Sequence, residues 1–144
     1  MWADSITVHA EACEDLERTI EQIREAGVKV GVSIKPATPV NDISHMLSDV
    51  DMVLDHDCTA GIWRSEVIWK NVRKRSGKYG ELIEAEDLDV DVQVDGGIND
   101  ETMETVLTAG ANLLVAGSYV FSDDLAKNVK HARERMDEII RRID

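Results

Sequence analysis

Aromatic side chains are scarce in this chain, which holds one phenylalanine, two tyrosines and three tryptophans. A core must therefore be packed from aliphatic residues, and a stacking platform for nucleobases has little to be made of. Basic residues are also short, with 16 lysines and arginines against 29 aspartates and glutamates and a net charge of −13. That balance excludes a general affinity for nucleic acid or for an anionic membrane. The one local concentration of positive charge, Lys70, Arg73, Lys74, Arg75 and Lys78, reads as a solvated helix face.

Cysteine appears twice, at Cys13 and Cys58, far apart and without metal-type spacing, so reduced thiols in the cytoplasm are expected. No apolar run approaches the ~20 residues of a membrane span, and Met1-Trp2-Ala3-Asp4 is not a secretory leader. A soluble, cytoplasmic protein follows as the expectation. At 144 residues the chain suits one domain, 1–144, and falls short of the ~250 residues of a closed eight-unit α/β barrel.

What is present is a regular alternation of strand and helix patterns. Ser5 to His9 reads as a strand, followed by a helix to about Ala26 with Leu16, Ile20 and Ile23 inward and Gly27 as its stop. Val28 to Ile34 alternates as a second strand, ended by Pro36 and Pro39. Asn41 or Asp42 is placed to cap a short helix carrying Ile43, Met46 and Leu47, and Val50 to Leu54 reads as a third strand. Helical character runs from Lys70 to about Ala85, interrupted at Ser76-Gly77, before a fourth strand, Val90 to Val94. Asp100 is expected to cap a helix bearing Met103, Val106 and Leu107, closed by Gly110. Leu113 to Ala116 makes a fifth strand, and a last amphipathic helix spans about Ser122 to Ile143, its apolar stripe expected to pack inward. Five βα units with short links predict a parallel sheet covered by helices, functional loops at the strand C-termini.

Two strand ends carry chemistry. Val90 to Val94 runs into Asp95-Gly96-Gly97, an acid followed by bare backbone that lets a ligand approach closely. Leu113 to Ala116 runs into Gly117-Ser118, again small and amide-exposing. Together they suggest one anion pocket shared by neighbouring strands. His9, at the end of the first strand, reads as a packed or backbone-bonded histidine, and Lys35 as a surface residue aimed toward the strand ends.

Five segments, Ile6-Thr7-Val8-His9-Ala10-Glu11-Ala12, Pro36-Ala37-Thr38-Pro39, Val50-Asp51-Met52-Val53-Leu54, Val94-Asp95-Gly96-Gly97-Ile98-Asn99 and Val115-Ala116-Gly117-Ser118-Tyr119-Val120-Phe121, resemble ribulose-phosphate 3-epimerases in order and spacing. The resemblance covers nearly the whole chain and corresponds to strands four to eight of that family's (β/α)8 barrel. It implies a partial TIM barrel and epimerisation at C3 of a ketopentose phosphate, D-ribulose 5-phosphate to D-xylulose 5-phosphate, by two acids and a divalent metal of the zinc, iron, manganese or cobalt type. It further implies that Asp95 is the later of the two acids, serving as catalytic residue and metal ligand, and that Gly96, Gly97, Gly117 and Ser118 hold the phosphate.

The family's earlier acid and both metal histidines belong to strands one to three, which have no counterpart here; His9, His45, His56 and His131 match none of those motifs. A fragment with impaired or no stand-alone activity is expected, marginal as a monomer, which self-associates or is completed by an N-terminal barrel piece. The alternatives are a non-catalytic phosphate-binding partial barrel, an inactive relic, or a relative of hexulose-phosphate synthase.

Between Asp55 and Trp69 the pattern lapses where the family has a glycine-rich loop over the phosphate. Read one base later, codons for Asp55-His56-Asp57-Cys58 can give Ile-Met-Thr-Val, and those for Gly61-Ile62-Trp63-Arg64-Ser65-Glu66 can give Gly-Phe-Gly-Gly-Gln-Lys. A pair of compensating frameshifts accounts for the stretch, and on that reading the metal-like run Asp55-His56-Asp57 is accidental.

Overall fold

The structure, a computed structural model, describes residues 3–35, 37–56 and 66–143, with the side chains of 55, 56 and 66–75 outside that description. Residues 57–65 of the expected frameshifted stretch, Trp63 among them, therefore lie outside the described residues, as do the side chains of Asp55, His56 and Trp69 and of most of the basic cluster. Five strands form one sheet in the order β1-β2-β3-β4-β5, all neighbours parallel. They are β1 Ser5–His9, β2 Lys29–Ile34, β3 Met52–His56, β4 Asp91–Asp95 and β5 Leu113–Val115. The helices are α1 Leu16–Glu25, α2 Glu66–Ala85, α3 Asp100–Thr108, α4 Gly117–Val120 and α5 Leu125–Ile143. Sequential order with every strand parallel is the arrangement of consecutive barrel units.

Register divides the sheet into two unlike faces, because neighbours paired in a parallel ladder point the same way and residues two apart repeat the face. On one face Val30, Val32, Ile34, Val53, Val92 and Val94 are all buried, stacked under the helices. The other face carries Thr7, Gly31 and Met52 in one row and His9, Ser33, Leu54, Gln93 and Leu113 in the next. Gly31 is required there: a Cβ would stand 2.4 Å from Thr7 Oγ1 and 2.8 Å from Met52 Cε.

Several local expectations are corrected. The stretch after Pro39 forms two 3-10 segments, Val40–Asp42 and Ser44–Asp49, with no side-chain cap from Asn41 or Asp42. The third strand runs on through Asp55 and His56 rather than ending at Leu54. The second helix is unbroken through Ser76-Gly77. Ser76 is fully buried within it, whereas a Cβ on Gly77 would meet nothing within 4 Å; the turn at Gly110 comes near Gly80, where a Cβ on Gly110 would stand 3.6 Å from the Gly80 Cα. Asn99, not Asp100, caps α3. The last helix, α5, holds as one helix from Leu125 to Ile143, with a short α4 ahead of it, but of the apolar stripe on α5 only Ile139 is buried. Leu125, Val129, Ile140 and Ile143 stand exposed, as do Leu113 and Val115 on β5. The stripe is real, but among the described residues most of it has nothing to pack against.

Candidate active site

Asp95 is the final residue of β4, half-buried, with its backbone in register between His56 of β3 and Val115 of β5. The chain then turns through Gly96 at φ +125° and Gly97 at φ +57°, conformations that only glycine takes without strain at the first and that favour it at the second. Two devices lock the turn. Buried Ile98 anchors it from below. From above, Asn99 Oδ1 accepts from the amides of Glu101 and Thr102 at 2.9 and 3.0 Å, while Thr102 Oγ1 accepts from the Asn99 amide and donates to the Gly97 carbonyl, both at 2.9 Å. A capping box of this kind settles the orphan amides of the helix start.

On the neighbouring strand, Gly117 and Ser118 open α4 directly after β5, and both are exposed. Gly117 differs from the pair at 96 and 97. Its φ is not positive, and a Cβ there would meet nothing within 4 Å. Neither backbone strain nor packing asks for a glycine at this position. The sheet thus brings Asp95, Gly96, Gly97, Gly117 and Ser118 to the C-terminal tips of two adjacent strands, as the sequence pattern predicts.

Sequence reasoning missed a second cluster at the tips of β1 and β2. Glu11 accepts from the Lys35 amide at 2.7 Å and from the Thr38 hydroxyl, and its carboxylate lies 3.8 Å from His9 Nδ1. Partial burial works to raise the Glu11 carboxyl, but the bonds from Thr38 and the Lys35 amide outweigh it and hold the group below the usual range. His9 is not packed away: its side chain is 44% exposed. Beside it in register on the same face, the Ser33 hydroxyl is buried without a hydrogen-bond partner among the described residues, a situation that costs about 1–3 kcal/mol. The signal was the alternation of Gly31 and Ser33 with buried valines, which marks a polar row on the inner face.

No group of three or more histidine, cysteine, aspartate or glutamate side chains suited to a metal occurs among the described residues. Asp95 alone does not make a divalent-ion site. A separate concavity of about 460 Å³ opens between α1 and the second 3-10 segment, away from the strand tips. Within it Arg24 pairs with Asp49 and His45 lies 3.3 Å from Glu17, and the remaining charged lining, Glu21 and Glu25, is acidic.

A parallel sheet of consecutive βα units, with an acid and glycine turns gathered at its strand ends, defines a partial α/β protein of the TIM-barrel type. A solved mandelate oxidase with bound (S)-2-phenylpropionate shares that fold at a TM-score of 0.50 and 15% identity, over 88% of this chain and 37% of the oxidase. Residues 1–121 match the model of the ribulose-phosphate 3-epimerase family, and the chain belongs to that family. Among its curated relatives, the ribulose-phosphate 3-epimerase of Bacillus subtilis is 42% identical over 138 residues, 91% of this chain and 61% of the relative. That of Methanocaldococcus jannaschii is 38% identical over 91% of this chain and 56% of the relative, and that of Mycobacterium tuberculosis H37Rv 34% identical over 92% and 58%. The chain spans about three fifths of the length of the curated relatives it matches. No helix among the described residues is long and apolar enough to cross a membrane.

Proposed function

We propose that the 144 residues act as one unit, the phosphate-holding portion of a ribulose-phosphate 3-epimerase, and that turnover requires further βα units supplied by another polypeptide or by more of its own. The reaction interconverts D-ribulose 5-phosphate and D-xylulose 5-phosphate by removing the C3 proton on one face and returning one on the other, which takes two acids. Asp95 is one of them. Its place at the tip of β4, ahead of two glycines in left-handed backbone, is the observation that carries the reading. Gly96, Gly97, Gly117 and Ser118 offer amides and a hydroxyl to the substrate phosphate.

The described residues do not fit the divalent metal that the family resemblance implies, since Asp95 has no companion ligands among them; no step is assigned to such an ion here. The same shortage favours a second reading, binding of a sugar phosphate without turnover. The exposed apolar residues of β5, Leu113 and Val115, support the need for a completing piece, because β5 is the last strand of the sheet and has no further neighbour among the described residues.

Deuterium incorporation at C3 of D-ribulose 5-phosphate in heavy water tests the pair of readings. The chain alone is expected to bind the sugar phosphate, with amide shifts at Gly96, Gly97, Gly117 and Ser118, and to exchange nothing. Exchange should appear on mixing with the N-terminal βα units of a relative, and vanish again in Asp95→Asn. Absence of any shift at those four residues overturns both readings.

A further inference from the structure

Asp100, Tyr119 and His131 belong to three different helices and meet at one carboxylate. The Tyr119 hydroxyl donates to Asp100 Oδ1 at 2.7 Å, and His131 Nε2 stands 3.1 Å from the same oxygen. The Tyr119 and His131 rings are 6.4 Å apart, tilted at 40°. Burial and donation to Asp100 push the Tyr119 phenol up to about 12, while the bond from Tyr119, ahead of the contact with His131, holds the Asp100 carboxyl below its ordinary value despite partial burial. Both ends of the bond are therefore in their bonding protonation states across the physiological range.

The position of this bond gives it meaning. Asp100 opens α3, at the far end of the turn Gly96-Gly97-Ile98-Asn99. Tyr119 follows Gly117-Ser118 directly. At their near ends the same two turns leave strands that pair in register at Asp95 and Val115. Each turn is thus tied to the other twice, by the sheet ladder below and by the phenol to carboxylate bond above. Around that bond α5 is fastened to α3 by Arg135 and Arg142, 3.6 and 3.1 Å from the Glu104 carboxylate, and by buried Ile139.

We propose that Tyr119 is a positioning residue whose bond to Asp100 fixes the separation of the Gly96-Gly97 and Gly117-Ser118 turns, so that both address one anionic group. This rests on the phosphate reading above. Asp100 carries negative charge close to a site meant for an anion, which direct electrostatics alone would disfavour; as an acceptor for Tyr119 its presence has a reason.

The full chain, labelled with nitrogen-15, tests this with inorganic phosphate as probe. Without ligand, Tyr119→Phe should move or broaden the amide signals of Gly96 and Gly97 on the opposite turn. With phosphate, the same variant should bind about threefold to tenfold more weakly at unchanged net charge. Asp100→Asn, whose amide oxygen still accepts from Tyr119, should retain affinity, whereas Asp100→Ala should lose it; a purely electrostatic role predicts tighter binding in both. Unmoved Gly96 and Gly97 signals in Tyr119→Phe, or unchanged phosphate affinity, overturn the proposal. A wild-type chain that shows no phosphate-dependent shift overturns the phosphate reading itself, and the ligand-free comparison distinguishes that failure from failure of the tie.

Discussion

The middle of the sheet and its β5 edge are made of similar residues and have opposite fates. In β2, β3 and β4 the helix-facing valines are essentially inaccessible, with Val30 and Val53 at 0%. On β5 and α5, Leu113 and Ile143 reach 40% and 47% exposure, and Phe121, just after α4 between them, reaches 77%. Hydropathy is the same in both regions; only the presence of a covering neighbour differs. An apolar stripe states what a segment is able to bury, and not whether the burial partner is at hand.

A charge placed in each region should give the widest separation. Val53→Asp is expected to cost more than about 4 kcal/mol, enough to abolish the folded signal in circular dichroism, because the carboxylate has no partner among packed valines. Leu113→Asp should lower the stability read from urea unfolding by about 1 kcal/mol or less and improve solubility. Equal losses would mean that the edge is covered after all.

Glycines sharpen the contrast on a smaller scale. Gly96→Ala forces a side chain into φ +125° and should cost about 1–3 kcal/mol in urea unfolding. Gly117→Ala should be neutral or slightly stabilising, since it meets nothing within 4 Å and starts a helix. Weaker phosphate binding in Gly117→Ala without lost stability would separate a residue kept for ligand approach from one kept for backbone shape.

The smallest effect concerns Glu11 at the β1 and β2 tips. Its folded pKa is lowered from an ordinary value of about 4.5, so its contribution to stability is present above that value and lost as pH falls through the folded one. Thr38→Val, which removes one of the bonds that lower it, should reduce the melting temperature by about 2–4 °C at pH 7. The difference from wild type should narrow as pH falls below the ordinary carboxylate range and through the lowered folded value; a difference independent of pH would assign the loss to packing around Thr38 instead.

Much of this arrangement was legible beforehand. Strand period and β-branched content marked the five strands, Gly27 and Gly110 marked helix ends, and Asp95-Gly96-Gly97 stood out as an acid before bare backbone. The cap of α3 was misplaced by one residue because Asn99 and Asp100 are equally capable acceptors, and only the turn through Gly97 decides which side chain faces the helix amides. Ser76-Gly77 looked like an interruption because small residues weaken a helix in isolation; in the fold Ser76 is buried within the helix, and a side chain on Gly77 would meet nothing within 4 Å.

The order of the elements, the parallel sheet, the aliphatic core and the acid and glycines at the strand tips were set by the chain itself, since each follows from local period, propensity and backbone freedom. Only the tertiary structure decided that Glu11 is held by Lys35 and Thr38, that Ser33 is buried without a partner among the described residues, that Asp100 binds Tyr119 and His131, and that Leu125, Val129, Ile140 and Ile143 of the α5 stripe stay exposed. These depend on which distant segments meet, and the distance between two side chains in space is not written in their separation along the sequence.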